Sequence, residues 1–176
     1  MNLPNKITLF RVVLVPIFVL IMLLDKDLIP YQNIIGCVIF CIACISDFFD
    51  GYLARKWQLI TNFGKFMDPL ADKMLVTAAL LCLTAEGTAS SWISIIILSR
   101  EFIVSGVRIA AAAEGNVIAA SWWGKIKTVW QMISIIIALV FGGSVFVSVC
   151  LWIAALLTVI SGIDYLVKNA KYLSMK

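Results

Sequence analysis

The sequence predicts an all-α membrane protein, a bundle of six transmembrane helices with both termini cytoplasmic. Three observations carry that expectation. Of the 176 residues, 62% are hydrophobic and 14% charged, with a mean hydropathy of +1.04, outside the range of soluble domains. The apolar residues gather into six stretches, each near the roughly 20 residues that a membrane span needs. The basic residues fall in alternate connections. The predicted spans lie at 8–24, 32–55, 64–86, 91–113, 121–141 and 145–167, separated by charges, Gly, Pro, Asn or Ser. Almost nothing remains for a soluble domain, so residues 1–176 are expected to form a single integral-membrane domain.

Taken in order, span one follows Lys6 and includes Arg11, which gives it the look of a signal peptide. No small-x-small cleavage site follows and the apolar run continues past Met22, so it is read as an uncleaved span. Arg55, Lys56, Lys65 and Lys73 border the connection between spans two and three, and Arg108, Lys125 and Lys127 the one between spans four and five. Lys168, Lys171 and Lys176 occupy the tail. The other connections hold Lys26 between Asp25 and Asp27, then Glu86, then the neutral Gly142-Gly143-Ser144. The positive-inside rule therefore puts the basic connections and both termini in the cytoplasm. The net charge of +4 is topology, with some attraction for the anionic headgroups of membrane lipids; no nucleic-acid partner is expected. Trp92, Trp122, Trp123 and Trp152 are expected to include interfacial anchors.

There is no histidine, and the five cysteines are Cys37, Cys41, Cys44, Cys82 and Cys150. Cys37, Cys41 and Cys44 recur at helical spacing in span two. Without a CxxC pair or His they are read as packing residues and not as zinc ligands, and no disulfide is implied.

The anomaly is a set of four aspartates in "SDFFDGYLARKWQLITNFGKFMDPLADK", residues 46–73. Asp47 and Asp50 are three apart, Asp68 and Asp72 four apart, so each pair shares one helix face. An antiparallel hairpin of spans two and three brings the pairs together. Asp47 lies about 12 Å along the helix from Arg55, just inside the cytoplasmic interface. On insertion scales an aspartate costs roughly 2.5–3.5 kcal/mol at mid-span, less near the interface. Lys65 and Lys73 leave most of the repulsion standing, since Lys73 is turned about 100° from Asp72. Divalent cations offset it better, and an all-oxygen donor set suits Mg²⁺ or Mn²⁺. Two such ions about 3.5–4 Å apart form the clamp used in displacements at phosphorus. Gly51, Ala54 and Gly64 serve either close helix packing in lipid or close approach of a ligand. Arg55 either caps its span or donates to a phosphate. Pro69 is expected to kink the start of span three.

The pattern Asp47-x-x-Asp50-Gly51-x-x-Ala54-Arg55, eight residues, then Gly64-x-x-x-Asp68-x-x-x-Asp72 resembles the signature of the CDP-alcohol phosphotransferases at all eight fixed positions. The resemblance implies an enzyme that uses a CDP-linked donor, releases CMP and joins the remaining phosphoryl group to an alcohol. It implies two divalent cations, Mg²⁺ or Mn²⁺, held by Asp47, Asp50, Asp68 and Asp72, with Asp72 also the general base. Gly51, Ala54, Arg55 and Gly64 would shape the CDP pocket. Asn5-x-x-Thr8-x-x-Arg11 looks like a further family element near the nucleotide, or is simply a polar start to span one. A homodimer in a bacterial cytoplasmic membrane, its active site facing the cytoplasm, follows by family analogy.

The acceptor is read from residues 99–131. Glu101, Ser105, Arg108 and Ala112 share a helix face, with Glu101 about 10 Å deeper than Arg108. Cations at the end of span four and the start of span five suit a phosphorylated acceptor, although positive-inside placement also explains Lys127. Arg100 beside Glu101 is expected as a buried ion pair. The residues Arg100-Glu101-Phe102-Ile103 and Ser121-Trp122-Trp123-Gly124-Lys125-x-Lys127-Thr128-x-x-Gln131, with the opening "LPNKITLFRVVLVP", are similar to the bacterial phosphatidylglycerophosphate synthases within the family. That likeness implies CDP-diacylglycerol as donor and sn-glycerol 3-phosphate as acceptor, its phosphate held by Arg108 and Lys125 with Lys127 or Arg11 assisting. Serine, inositol phosphate and phosphatidylglycerol are the alternative acceptors in related enzymes. A divalent-cation transporter would need polar residues continuing across span three, where the sequence reads "MLVTAALLCLTA". Membrane prenyltransferases carry their two aspartate-rich segments far apart, and a structural lipid-packing protein leaves the aspartates unexplained.

Overall fold

The computed structural model describes residues 3–24, 28–56, 62–113 and 121–170; of residues 3–5, 48–56, 62–69, 72 and 113 it describes the backbone alone. Six helices account for nearly all of it: α1 (Leu3–Leu23), α2 (Gln32–Lys56), α3 (Asn62–Ala85), α4 (Ser91–Ala113), α5 (Trp122–Phe141) and α6 (Val145–Lys168). They fall on the six predicted stretches, and no strand occurs among the described residues. The largest difference is at the N-terminus, where α1 starts five residues before the predicted span at position 8, because helix propensity carries the polar Asn5-Lys6 turn beyond the apolar run. The α3 backbone is helical through Pro69; as the eighth residue of α3, past the four amides that lack internal partners, this proline removes one internal hydrogen bond.

Length and apolarity suffice to cross a membrane in Lys6–Leu23, Trp122–Phe141 and Val145–Lys168 of α1, α5 and α6. Among the described side chains of α2 and α3, the apolar segments are Gln32–Asp47 and Lys73–Ala85. Arg100, Glu101 and Arg108 interrupt α4. Large apolar side chains face outward on the described helices, with Leu20, Ile109 and Val145 61%, 71% and 84% exposed. Such faces need lipid around them, and the protein is an integral membrane protein.

The chain divides into two compact units, Met1–Glu86 and Gly87–Lys176. In the first, Thr8, Arg11, Val15, Phe18 and Met22 of α1 are all buried. Their alternating spacing of three and four draws one stripe along the helix, and α1 uses it to pack against both α2 and α3. Phe18 meets Phe40 of α2 with ring centroids 6.3 Å apart and planes tilted by 51°, an offset geometry that favours aromatic pairs. Gly36 faces Met22, whose Sδ would stand 2.5 Å from an added Cβ. At the end of this unit away from the aspartates, Gln32 Nε2 donates to Glu86 Oε1 at 3.3 Å and to the Met22 carbonyl at 3.5 Å. That amide ties the start of α2 to the ends of α1 and α3. Phe40→Ala should cost on the order of 2 kcal/mol through lost dispersion contacts, read as a lower thermal midpoint of the detergent-solubilised protein.

In the second unit α6 packs against both α4 and α5. Ser121 and Ser144 cap α5 and α6, their hydroxyls accepting from the Gly124 and Val147 amides at 3.1 and 3.3 Å. Gly142 closes α5 at φ +62°, its amide bonded to the Ala138 carbonyl, a backbone conformation that glycine adopts without strain. Ser134 Oγ lies 3.2 Å and Trp130 Nε1 3.3 Å from the Cys150 carbonyl, polar links of the kind that hold helices together in lipid. Val104, Val107 and Tyr165 form the buried contact of α4 with α6. All five cysteines are free thiols.

Candidate active site

The backbone places the motif as its spacing predicts. Asp47 and Asp50 lie in the last turns of α2, followed by Gly51, Ala54 and Arg55, while Gly64, Asp68 and Asp72 lie in the first turns of α3. Helices α2 and α3 touch each other as well as α1. Asp47 continues the row Gly36, Phe40, Ala43 by which α2 packs, so packing turns its carboxylate toward α1.

Asp47 is met there by an arginine. Arg11, wholly buried, donates from Nη1 to Asp47 Oδ1 at 2.5 Å, and the Asp47 side chain is 38% exposed. A guanidinium buried among apolar helices is costly unless a carboxylate pairs with it, and Arg11 sits on the packing stripe of α1 one turn from the buried Thr8. The sequence places Arg11 near the nucleotide or as an assistant at the acceptor phosphate, and offers the first aspartate no protein partner. The signal was available: the Thr8-Arg11-Val15-Phe18-Met22 spacing puts Arg11 on the face that meets the other helices. The side chains of Asn5, Asp50, Gly51, Ala54, Arg55, Gly64, Asp68 and Asp72 lie outside the described residues. Among the described residues no group of three or more His, Cys, Asp or Glu converges.

The chemistry of the donor set fits hard divalent cations. The motif offers only carboxylate oxygens, and Asp47 is accessible, with a second oxygen beyond the one that Arg11 engages.

The second unit holds the other predicted cations. Arg108 is exposed, with Nε 3.4 Å from Tyr165 Oη and its guanidinium 5.6 Å from the Tyr165 ring centroid. Lys125 is exposed with its ammonium 6.0 Å from the Trp122 ring centroid. Both cations thus rest on aromatic faces. Lys127 differs: it is buried, and its ammonium is paired with Glu101 Oε1. Arg100 also reaches Glu101 Oε1, at 3.3 Å, and its Nη2 donates to Ser161 Oγ at 2.6 Å. The expected Arg100–Glu101 pair is therefore present, widened into a network by Lys127 and Ser161. Ser161 and Tyr165 were not anticipated. They lie four apart on α6 and both are buried; two polar groups on one face of an apolar span were the available signal.

A family model described as CDP-alcohol phosphatidyltransferase matches residues 1–160. The chain belongs to the CDP-alcohol phosphatidyltransferase family. Within it, the chain is 46% identical over 183 aligned residues to a Bacillus subtilis protein named CDP-diacylglycerol--glycerol-3-phosphate 3-phosphatidyltransferase, covering 96% of this chain and 95% of the relative. A Haemophilus influenzae protein of the same name is 42% identical over 94% of this chain and 91% of its own length. A Mycobacterium tuberculosis relative named probable phosphatidylglycerophosphate synthase is 41% identical over 95% of this chain and 81% of its own. As a CDP-alcohol phosphatidyltransferase the protein is a membrane-embedded enzyme, and its family match takes in both the aspartate motif and the cations of α4 and α5.

Proposed function

We propose that the protein transfers the phosphatidyl group of CDP-diacylglycerol to the 1-hydroxyl of sn-glycerol 3-phosphate, giving phosphatidylglycerophosphate and CMP. The observation that carries the reading is an unbroken eight-position motif in a chain whose relatives, aligned over almost its whole length, bear the name of that reaction. All six helices cross a bacterial cytoplasmic membrane as one functional domain, with both termini and the reacting groups on the cytoplasmic side, in keeping with the basic connections. The enzyme works as a homodimer.

Asp47, Asp50, Asp68 and Asp72 hold two divalent cations, Mg²⁺ or Mn²⁺. When bound, these supply Lewis-acid stabilisation to the diphosphate and its leaving group. Asn5, Thr8, Gly51, Ala54, Arg55 and Gly64 shape the CDP site, with Arg55 donating to a phosphate oxygen. Arg11 orients Asp47 through the pair at 2.5 Å. The acceptor oxygen attacks the phosphorus nearer the diacylglycerol, its proton passes to Asp72, and the phosphoanhydride bond breaks so that CMP departs with the bridging oxygen. Arg108 and Lys125 hold the acceptor phosphate, each an exposed cation braced by an aromatic ring. Lys127 and Arg11, expected to assist there, each have a carboxylate partner. The transporter alternative has less support: along α3, Leu75, Val76, Ala79, Leu80 and Leu83 are buried and apolar.

Purified protein given CDP-diacylglycerol, Mg²⁺ and one candidate acceptor at a time should release CMP with glycerol 3-phosphate. Release with serine or inositol phosphate and none with glycerol 3-phosphate would reject the acceptor assignment. Arg108→Ala should raise the KM for glycerol 3-phosphate about 10- to 100-fold, the worth of a charge-assisted contact. Arg108→Lys should recover only part of that, since an ammonium lacks the guanidinium fork; initial rates across acceptor concentration decide it.

A further inference from the structure

Glu101 is the hub of the polar network in the second unit. Its Oε1 takes the Lys127 ammonium from α5 and Arg100 Nη1 at 3.3 Å, and Arg100 Nη2 donates onward to Ser161 of α6 at 2.6 Å. One carboxylate thus links three helices. The link matters most for α4 and α5: α6 packs closely against each, whereas among the described residues α4 and α5 share no comparable backbone packing. The surroundings leave Arg100 little freedom, since a Cβ on Gly162 would stand 3.1 Å from its Cγ. Lys127 and Ser161 are 2% and 0% exposed, so solvent screens little of the attraction.

We propose that Glu101 is a positioning residue for the acceptor: by gripping Lys127 it fixes α5 against α4 and so sets the separation of Lys125 and Arg108. This rests on the reading that assigns those two cations to the acceptor phosphate. Lys125 lies two residues before Lys127 on α5, and Arg108 seven residues along α4 from Glu101. A rotation or slide of α5 on α6 therefore carries Lys125 away from Arg108. Two cations that share one phosphate bind it well only at one spacing. Stability alone does not account for the network, because apolar residues of similar volume often replace a buried ion pair without loss. What they cannot replace is its directionality.

The test uses the full-length protein with Arg100→Gln, Glu101→Gln and Lys127→Met together, which removes all three charges of the network and leaves none buried alone. The expected result is a KM for glycerol 3-phosphate raised about tenfold, equivalent to about 1.4 kcal/mol of binding. The KM for CDP-diacylglycerol and the thermal midpoint in detergent should stay at wild-type values. Calorimetric titration with glycerol 3-phosphate alone should show the same loss of affinity. An unchanged KM for glycerol 3-phosphate overturns the proposal. So does a fall in thermal midpoint accompanied by equal rises in both KM values, which marks a merely structural pair. Failure of the underlying acceptor assignment looks different: the wild-type protein then shows no CMP release in response to glycerol 3-phosphate, and this proposal falls with it.

Discussion

Asp72→Asn should lower CMP release by about 10³-fold or more while the purified protein keeps its helix content and thermal midpoint. The substitution preserves size and removes both the charge and the proton-accepting oxygen. Asp72 occupies the third turn of α3, one turn past Asp68. From there the helix runs on through Val76, Ala79 and Leu83, all buried, so the packing that sets its direction does not depend on the carboxylate. A general base contributes about 10²–10⁴-fold, and loss of a ligand to the cations adds to the deficit. Asp72→Glu, which keeps the charge and displaces it by one methylene, should retain some turnover above the Asn variant. Wild-type rates in the Asn variant would remove Asp72 from the mechanism.

Chelation should have an effect of the same order. EDTA is expected to lower CMP release by at least about 10³-fold, equivalent to about 4 kcal/mol of barrier and within the several kcal/mol of charge stabilisation that a bound metal supplies. Arg11 engages one oxygen of Asp47, and a guanidinium balances one carboxylate. Mg²⁺ or Mn²⁺ should restore turnover. Ca²⁺ should restore much less, because it takes oxygen ligands at about 2.3–2.6 Å with loose geometry where Mg²⁺ requires about 2.0–2.1 Å in an octahedron. Full activity in EDTA would mean that the aspartates act without metal.

The sequence made the helices and the motif legible for the same reason. Apolar runs and fixed i, i+3 and i, i+4 spacings are local properties, and they placed six helices and assigned Asp47, Asp50, Asp68 and Asp72 to the last turns of one and the first turns of the next. What stayed hidden was every partnership between helices distant in the chain. Arg11 with Asp47, Lys127 with Glu101, Arg100 with Ser161 and Arg108 with Tyr165 span 36, 26, 61 and 57 residues. Charge pattern alone read Arg11 and Lys127 as cations waiting for a phosphate. Burial adds a partner that the pattern did not show, since an ammonium or guanidinium with almost no exposed surface needs a counter-charge. Arg108 and Lys125 are exposed, near the end of α4 and at the start of α5.

Binding of Mn²⁺ to the detergent-solubilised protein, followed by electron paramagnetic resonance, tests the central claim most directly. The account predicts two Mn²⁺ bound per chain with the exchange-broadened spectrum of a coupled pair. In Asp50→Asn or Asp68→Asn variants that still fold, the pair should give way to a single weakly held ion or to none. A wild-type protein that leaves all the Mn²⁺ in solution as the six-line aquo signal, or aspartate variants that bind as tightly as wild type, would contradict it.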